Sequence, residues 1–207
     1  MKKIILILLF GLAAIQVMAG TTDNLLKIYA VLTDKTVLRP SSLPELPATI
    51  ISQIPKDKTN AVIFIEDQLI TNQLDVVRDG AKFVMILPAG WQSLPLAKEL
   101  DQSVTPPTND VPASKIPPGT VPPGTINFQG VRLDVFLEIY SKLRGRTVVQ
   151  PSPLPDVVID FQTQTPLTKN ELIHAFDVIL ALNGIATVDD GDKFVKVVPV
   201  KSANRTQ

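Results

Sequence analysis

The chain has 207 residues, of which 45% are hydrophobic and 19% charged, enough apolar content for packed cores and too little charge for wholesale disorder. Twenty basic side chains balance twenty acidic ones, so no broad positive field exists to draw in phosphate backbones, and no nucleic-acid partner is expected. The absence of cysteine excludes a disulfide framework, a thiolate metal site and a lipid-bearing cysteine.

Residues 1–19 carry Lys2 and Lys3, an apolar run from Ile4 to Ile15, and the small-residue pattern Val17-Met18-Ala19. This is the layout of a secretory signal peptide. The apolar run, about 12 residues, is short for a helix that must cross a bilayer. Export is therefore expected, with no transmembrane segment in the mature chain. Loss of Lys2 and Lys3 leaves a net charge near −2.

Residues 20–90 follow as a first unit. Leu25, Leu26, Tyr29 and Leu32 recur at helical spacing. Thr36-Val37 reads as a strand stopped by Pro40, and Pro-Ser-Ser-Leu-Pro makes a loop. Asp57 stands where a second helix would be capped, with Val62, Ile65 and Leu69 on its apolar face, although "AVIFIE" is β-branched enough to read as a strand. "DGAKFVMILP" closes the unit as a turn and strand. Residues 91–125 contain "TPPTNDVPASKIPPGTVPPGT"; paired prolines stiffen the chain toward polyproline II, so this is a semi-rigid linker.

A second unit spans residues 126–200, ahead of a tail at 201–207. "TINFQG" (Thr125–Gly130) predicts a strand, and Leu133, Phe136, Leu137, Tyr140 and Leu143 a helix ended by Gly145. "RTVVQP" and "VVIDFQTQ" predict two strands, the latter with Val157, Ile159 and Phe161 on one face. Thr168-x-x-Glu171 is a capping box opening a helix that buries Leu172, Phe176, Ile179 and Leu180 and closes at Asn183-Gly184. "IATV", the turn Asp190-Gly191 and "KFVKVVP" complete a hairpin.

The two units are copies. At a single offset of 111 residues Ile28-Tyr29 meets Ile139-Tyr140, Thr36-Val37 meets Thr147-Val148, and "DGAKFVMILP" meets "DGDKFVKVVP". Roughly a third of the overlaid positions are identical without a gap, which marks a duplication. The expected fold is α+β: two tandem βαββαββ domains, two helices packed on short sheets, joined by the proline-rich linker. In that overlay Ile126-Asn127-Phe128 corresponds to Ile15-Gln16-Val17, inside the signal peptide. The first repeat is therefore expected to lack its first strand and to borrow one from the linker or accept one from a partner.

Little in the chain suggests catalysis. His174 is the one histidine, without a second ligand nearby in sequence, and is expected to be a packed or solvated helix residue. Asp189 to Asp192 lacks the EF-hand spacing and its closing glutamate, so a hairpin turn accounts for it. Glu66-Asp67 has no partner base or nucleophile and reads as an exposed helix face. No catalytic, cofactor-binding or metal-ligating residue is assigned, and no cofactor is expected.

The stretch "INFQGVRLDVFLEIYSKLRGRTVV…TPLTKNELIHAFDVILALNGIATVDDGDKFVKVVP" resembles the short N-terminal domain of bacterial secretins, the outer-membrane channels of type II secretion and type IV pili. The matching pieces are the I-x-F strand, the helix ending before T-V-V, P-L-T-x-x-E, L-x-x-N-G and the closing K-V-V-P. The resemblance covers Ile126–Pro199 well and Thr22–Pro88 more loosely. It implies an exported, non-enzymatic periplasmic module at an outer-membrane secretion or pilus complex, with envelope secretion proteins or a secretin as partners and a ring-like oligomer compatible with it. A structural relative, the TonB-dependent receptor signalling domain, implies the alternative of a signal- or ligand-receiving periplasmic domain. The chain ends nine residues after Val198, so it is not expected to be the pore itself.

Overall fold

A computed structural model describes residues 20–91, 119–150 and 153–200. The chain forms two α+β units whose elements recur at the offset read from the sequence. In the first, helix α1 (Thr21–Thr33) leads to strand β1 (Thr36–Leu38), a short helix α2 (Thr49–Gln53), helix α3 (Lys58–Thr71) and the hairpin β2 (Leu74–Asp79) and β3 (Phe83–Pro88). The second comprises β4 (Thr120–Val121), β5 (Asn127–Arg132), helix α4 (Leu133–Arg144), β6 (Thr147–Val149), β7 (Val158–Gln162), β8 (Leu167–Thr168), helix α5 (Lys169–Leu182) and the hairpin β9 (Ile185–Asp190) and β10 (Phe194–Pro199).

Each unit is built on a three-stranded mixed sheet, ordered β1-β3-β2 in the first and β6-β10-β9 in the second. The registers coincide: Thr36 opposes Phe83 in the parallel pair as Thr147 opposes Phe194, and Leu74 opposes Pro88 as Ile185 opposes Pro199. Helix ends match too. Asp34 (φ 53°) and Gly145 (φ 67°) both take the left-handed conformation that ends a helix, at little cost for glycine and tolerably for aspartate. Asp57 accepts a hydrogen bond from the Asn60 N–H at 3.0 Å, while Thr168 and Glu171 complete a reciprocal capping box. The β-branched segment "AVIFIE" lies in α3, whose buried residues Ala61, Ile65 and Leu69 fall at helical spacing.

Inside each unit a tyrosine spans the two helices. Tyr29 and Tyr140 are both buried, and their hydroxyls donate to Glu66 (2.6 Å) and Asp177, which occupy equivalent positions on α3 and α5. Burial and the adjacent carboxylate hold both phenols protonated far above their ordinary range. The Pro-Ser-Ser-Leu-Pro loop is tied to α1 by Thr22, whose hydroxyl donates to Pro44 O (2.7 Å) and accepts from Leu46 N–H (2.9 Å). Leu43 and Leu154 each pack on the core cluster that contains their unit's tyrosine.

The first unit departs from the expected order. Residues at the position of β7 form helix α2, with Ile50 buried, instead of a strand. In the second unit β7 pairs antiparallel with β5 as a separate two-stranded ribbon. The counterpart of β5 would fall on residues 16–21, of which Thr21 opens α1 and 16–19 lie outside the described residues. With no partner strand among the described residues, "TIISQ" turns its apolar residues inward as a helical turn, which satisfies its backbone locally. Among the described residues of the linker, Thr120-Val121 pairs with β8 of the second unit. The strand predicted at Thr125–Gly130 runs from Asn127 to Arg132, carried past a bulge between Phe128 and Val131 where Gly130 sits at φ 61°. The predicted signal peptide, most of the linker, Pro151-Ser152 and the tail lie outside the described residues.

Candidate functional site

The main cluster of polar and apolar side chains outside each unit's own core is the joint between the two units. Strand alternation gives the first sheet two apolar faces. Leu74, Val84 and Ile86 pack with Leu25, Tyr29, Ile65 and Leu69 in the first core, whereas Leu38, Phe83 and Leu87, with Val77 and Met85, join the core of the second unit. That second core contains Phe136, Phe161, Phe176 and Val178 and is floored by α4 and α5.

Polar contacts frame this apolar contact. Lys82 Nζ lies 2.8 Å from the Glu171 carboxylate and donates to Pro166 O at 2.9 Å. His174 Nε2 lies 2.7 Å from Asp79 Oδ2, and its ring meets Phe83 edge-on with centroids 5.8 Å apart. The buried Thr36 hydroxyl accepts from Gln164 N–H at 3.0 Å and sits 3.2 Å from the Thr165 hydroxyl. Ser41 N–H donates to Asn183 Oδ1 at 2.8 Å. Thr36 of β1 thus lies against the segment that follows β7.

Arg39 is the most buried cation of the joint. It reaches Asp23 on α1 at 2.7 Å and Asp160 on β7 at 3.2 Å, and Asp160 also accepts from the Gly130 N–H of the bulge at 2.7 Å. Burial pushes the Asp23 carboxyl above its ordinary range, and Arg39 only partly offsets this. Burial also acts upward on Glu171, but hydrogen bonds from Lys82 and Thr168 outweigh it and hold that carboxyl below its usual value. For His174 the hydrogen bond to Asp79 leads, burial opposes it, and the imidazole is held above its ordinary value.

A cleft beside Arg39, lined by Asp23, Leu26, Phe128, Asp160 and Gln164, has a volume of only ≈ 70 Å³. Small-molecule sites are typically several-fold larger, about 300 Å³ and up. Its guanidinium already faces two carboxylates, so little charge remains to recruit an anionic ligand. Among the described residues, no group of three or more His, Cys, Asp or Glu side chains is placed to hold a metal ion. Two of the acidic turn residues are otherwise engaged: Asp189 binds Arg144 (2.5 Å) and Arg146 (2.7 Å), and Asp190 binds Lys196 (2.9 Å). Glu66, expected on an exposed face, instead accepts from Tyr29 and Arg78, while its neighbour Asp67 is exposed. None of these groups presents a nucleophile beside a base.

The arrangement holds the two units together surface to surface. The joint escaped the sequence reading, although two signals marked it. Strand β3 reads "FVMILP", an unbroken apolar run expected of a strand covered on both faces. Helix α5 buries eight residues from Leu172 to Leu182, against three in α3, so it must be packed on more than one side. Among the described residues no helix is long and apolar enough to cross a membrane. No protein-family model matches the chain, and no curated protein matches it.

Proposed function

We propose that the chain is an exported, non-enzymatic interaction protein of a cell-envelope secretion or pilus system, working in the periplasm by docking through sheet edges and helix faces. The reading is supported by the resemblance of Ile126–Pro199 to secretin N-terminal domains, and the βαββαββ order expected from the sequence is present in β5-α4-β6-β7-α5-β9-β10, with the two-residue strand β8 added ahead of α5. The single observation that carries the contact-based half is the joint: this module type buries an outer sheet face against a second module, with side chains spent on packing rather than on a pocket.

Site-specific photocrosslinking in the native envelope tests it, with the probe placed at Val188 on the exposed strand β9. Adducts with a secretin, pilus or secretion component are expected. A sigma-regulator-type membrane protein would favour a signal-receiving role instead, and adducts with neither class would reject both readings.

A further inference from the structure

Gly20 follows directly on the expected cleavage point at Ala19, and it stands at the cap of α1 with no side chain to make the capping bond. Its backbone (φ −58°, ψ 165°) is open to any residue, so conformation does not call for glycine. Glu45 does. A Cβ on residue 20 would run into the Glu45 carboxylate, whose carbon would lie 2.7 Å away, closer than real side chains approach. A residue's nitrogen and its Cβ hang from the same Cα, so the Gly20 nitrogen lies within roughly 4–5 Å of that carboxylate. The carboxylate also supplies the cap that Gly20 lacks, accepting from the Thr22 N–H at 3.4 Å. The Thr22 hydroxyl in turn holds both neighbours of Glu45, Pro44 at 2.7 Å and Leu46 at 2.9 Å. The second repeat is the control. At the offset of 111 residues Gly20 becomes Val131, Thr22 becomes Leu133 and Glu45 becomes Asp156. There the chain continues upstream as β5, which runs to Arg132 at the foot of α4. Where the chain is continuous, two apolar side chains fill these places; where it is expected to begin, glycine and threonine do.

We infer that Glu45 is the seat of the mature amino terminus, pairing with the ammonium that processing creates on Gly20 and so locking the Pro-Ser-Ser-Leu-Pro loop onto α1. Hydrolysis of the Ala19–Gly20 peptide bond by an export peptidase consumes one water, leaves a carboxylate on Ala19 and frees that ammonium. The inference rests on the export part of the reading above and on no envelope partner. Two effects compete at this end of the helix. A positive charge at a helix start opposes the backbone dipole, so a bare ammonium there is unfavourable. Glu45 reverses the sign, because its carboxylate sits beside the new charge and faces the first turn. The ammonium also offsets the repulsion that Glu45 exerts on Asp23 in that turn. Glu45 is exposed, which keeps the pair modest and sensitive to salt.

Terminal sequencing of the exported chain should return Gly20-Thr21-Thr22. The purified chain beginning at Gly20 is then compared with the same chain acetylated at its terminus alone, each with Glu45 and with Glu45→Gln. Acetylation should lower the Tm of the wild type by about 1–3 °C, and the loss should fade in high salt. In Glu45→Gln the same acetylation should leave the Tm unchanged or raise it, since only the helix dipole then acts on the terminal charge. Gly20→Ala should displace the carboxylate and abolish the response to acetylation, with circular dichroism unchanged. A mature chain that begins elsewhere, or an acetylation shift that is equal with and without Glu45, would overturn the inference. Both measurements are independent of whether crosslinking finds a partner.

Discussion

His174 is the only histidine in the chain, so its titration can be followed by NMR without assignment. Its hydrogen bond to Asp79 favours the imidazolium, burial disfavours it, and the nearby Asp177 adds to the first effect. The folded chain thus binds this proton more tightly than the unfolded chain, whose histidine titrates near 6.5. The pair's stabilisation is fully present below that value and is lost as the pH rises through the raised folded value. We expect a titration midpoint above 6.5, displaced downward in Asp79→Asn. The stability difference between the two proteins should narrow as the pH climbs past the folded midpoint. A wild-type midpoint at or below 6.5 would show that the pair does not form in solution.

At the scale of elements, local chemistry was legible in the sequence and pairing was not. The capping box at Thr168, the helix ends at Gly145 and Asn183, the hairpin turn at Gly191 and the Ile159/Phe161 alternation each rest on a few adjacent residues, and each lies where those residues put it. The βαββαββ order expects a strand where helix α2 lies, because an apolar stretch such as "TIISQ" becomes strand or helix according to partners that local sequence does not reveal. His174 drew attention as a lone histidine, but nothing near it in sequence points to Asp79, 95 residues upstream. The α5 cap joins the two levels, because the Glu171 carboxylate accepts from Thr168 N–H at 2.7 Å and also binds Lys82 of the other repeat. Thr168→Ala should cost about 1 kcal/mol, lowering the Tm by ~2–4 °C for a chain of this size. Glu171→Gln keeps an acceptor for the cap but removes the charge facing Lys82. Its smaller loss should shrink further as salt is added, whereas that of Thr168→Ala should not. Thermal unfolding at two salt concentrations separates them, and equal salt response would deny the ion pair its role.

At the scale of the whole molecule, the two units share a core. Leu38, Phe83 and Leu87 of the first unit belong to the cluster of the second, and both described ends of the spacer, Trp91 and Val121, pack on that cluster too. Phe83 and Phe194 make this measurable: they occupy the same place in the same register of the same strand, one covered and one not. Phe83→Ala removes a ring packed between the units and should cost about 3–5 kcal/mol, a large share of the ~5–15 kcal/mol that typically holds a protein folded. Phe194→Ala should cost less than about 1 kcal/mol, as substitutions at exposed positions usually do. Since the cluster is common property, amide exchange in Phe83→Ala should quicken in β9 and β10 as well as in β2 and β3, and unfolding should remain a single transition. Two separate transitions, or similar costs for the two phenylalanines, would mean that the repeats fold independently and merely touch.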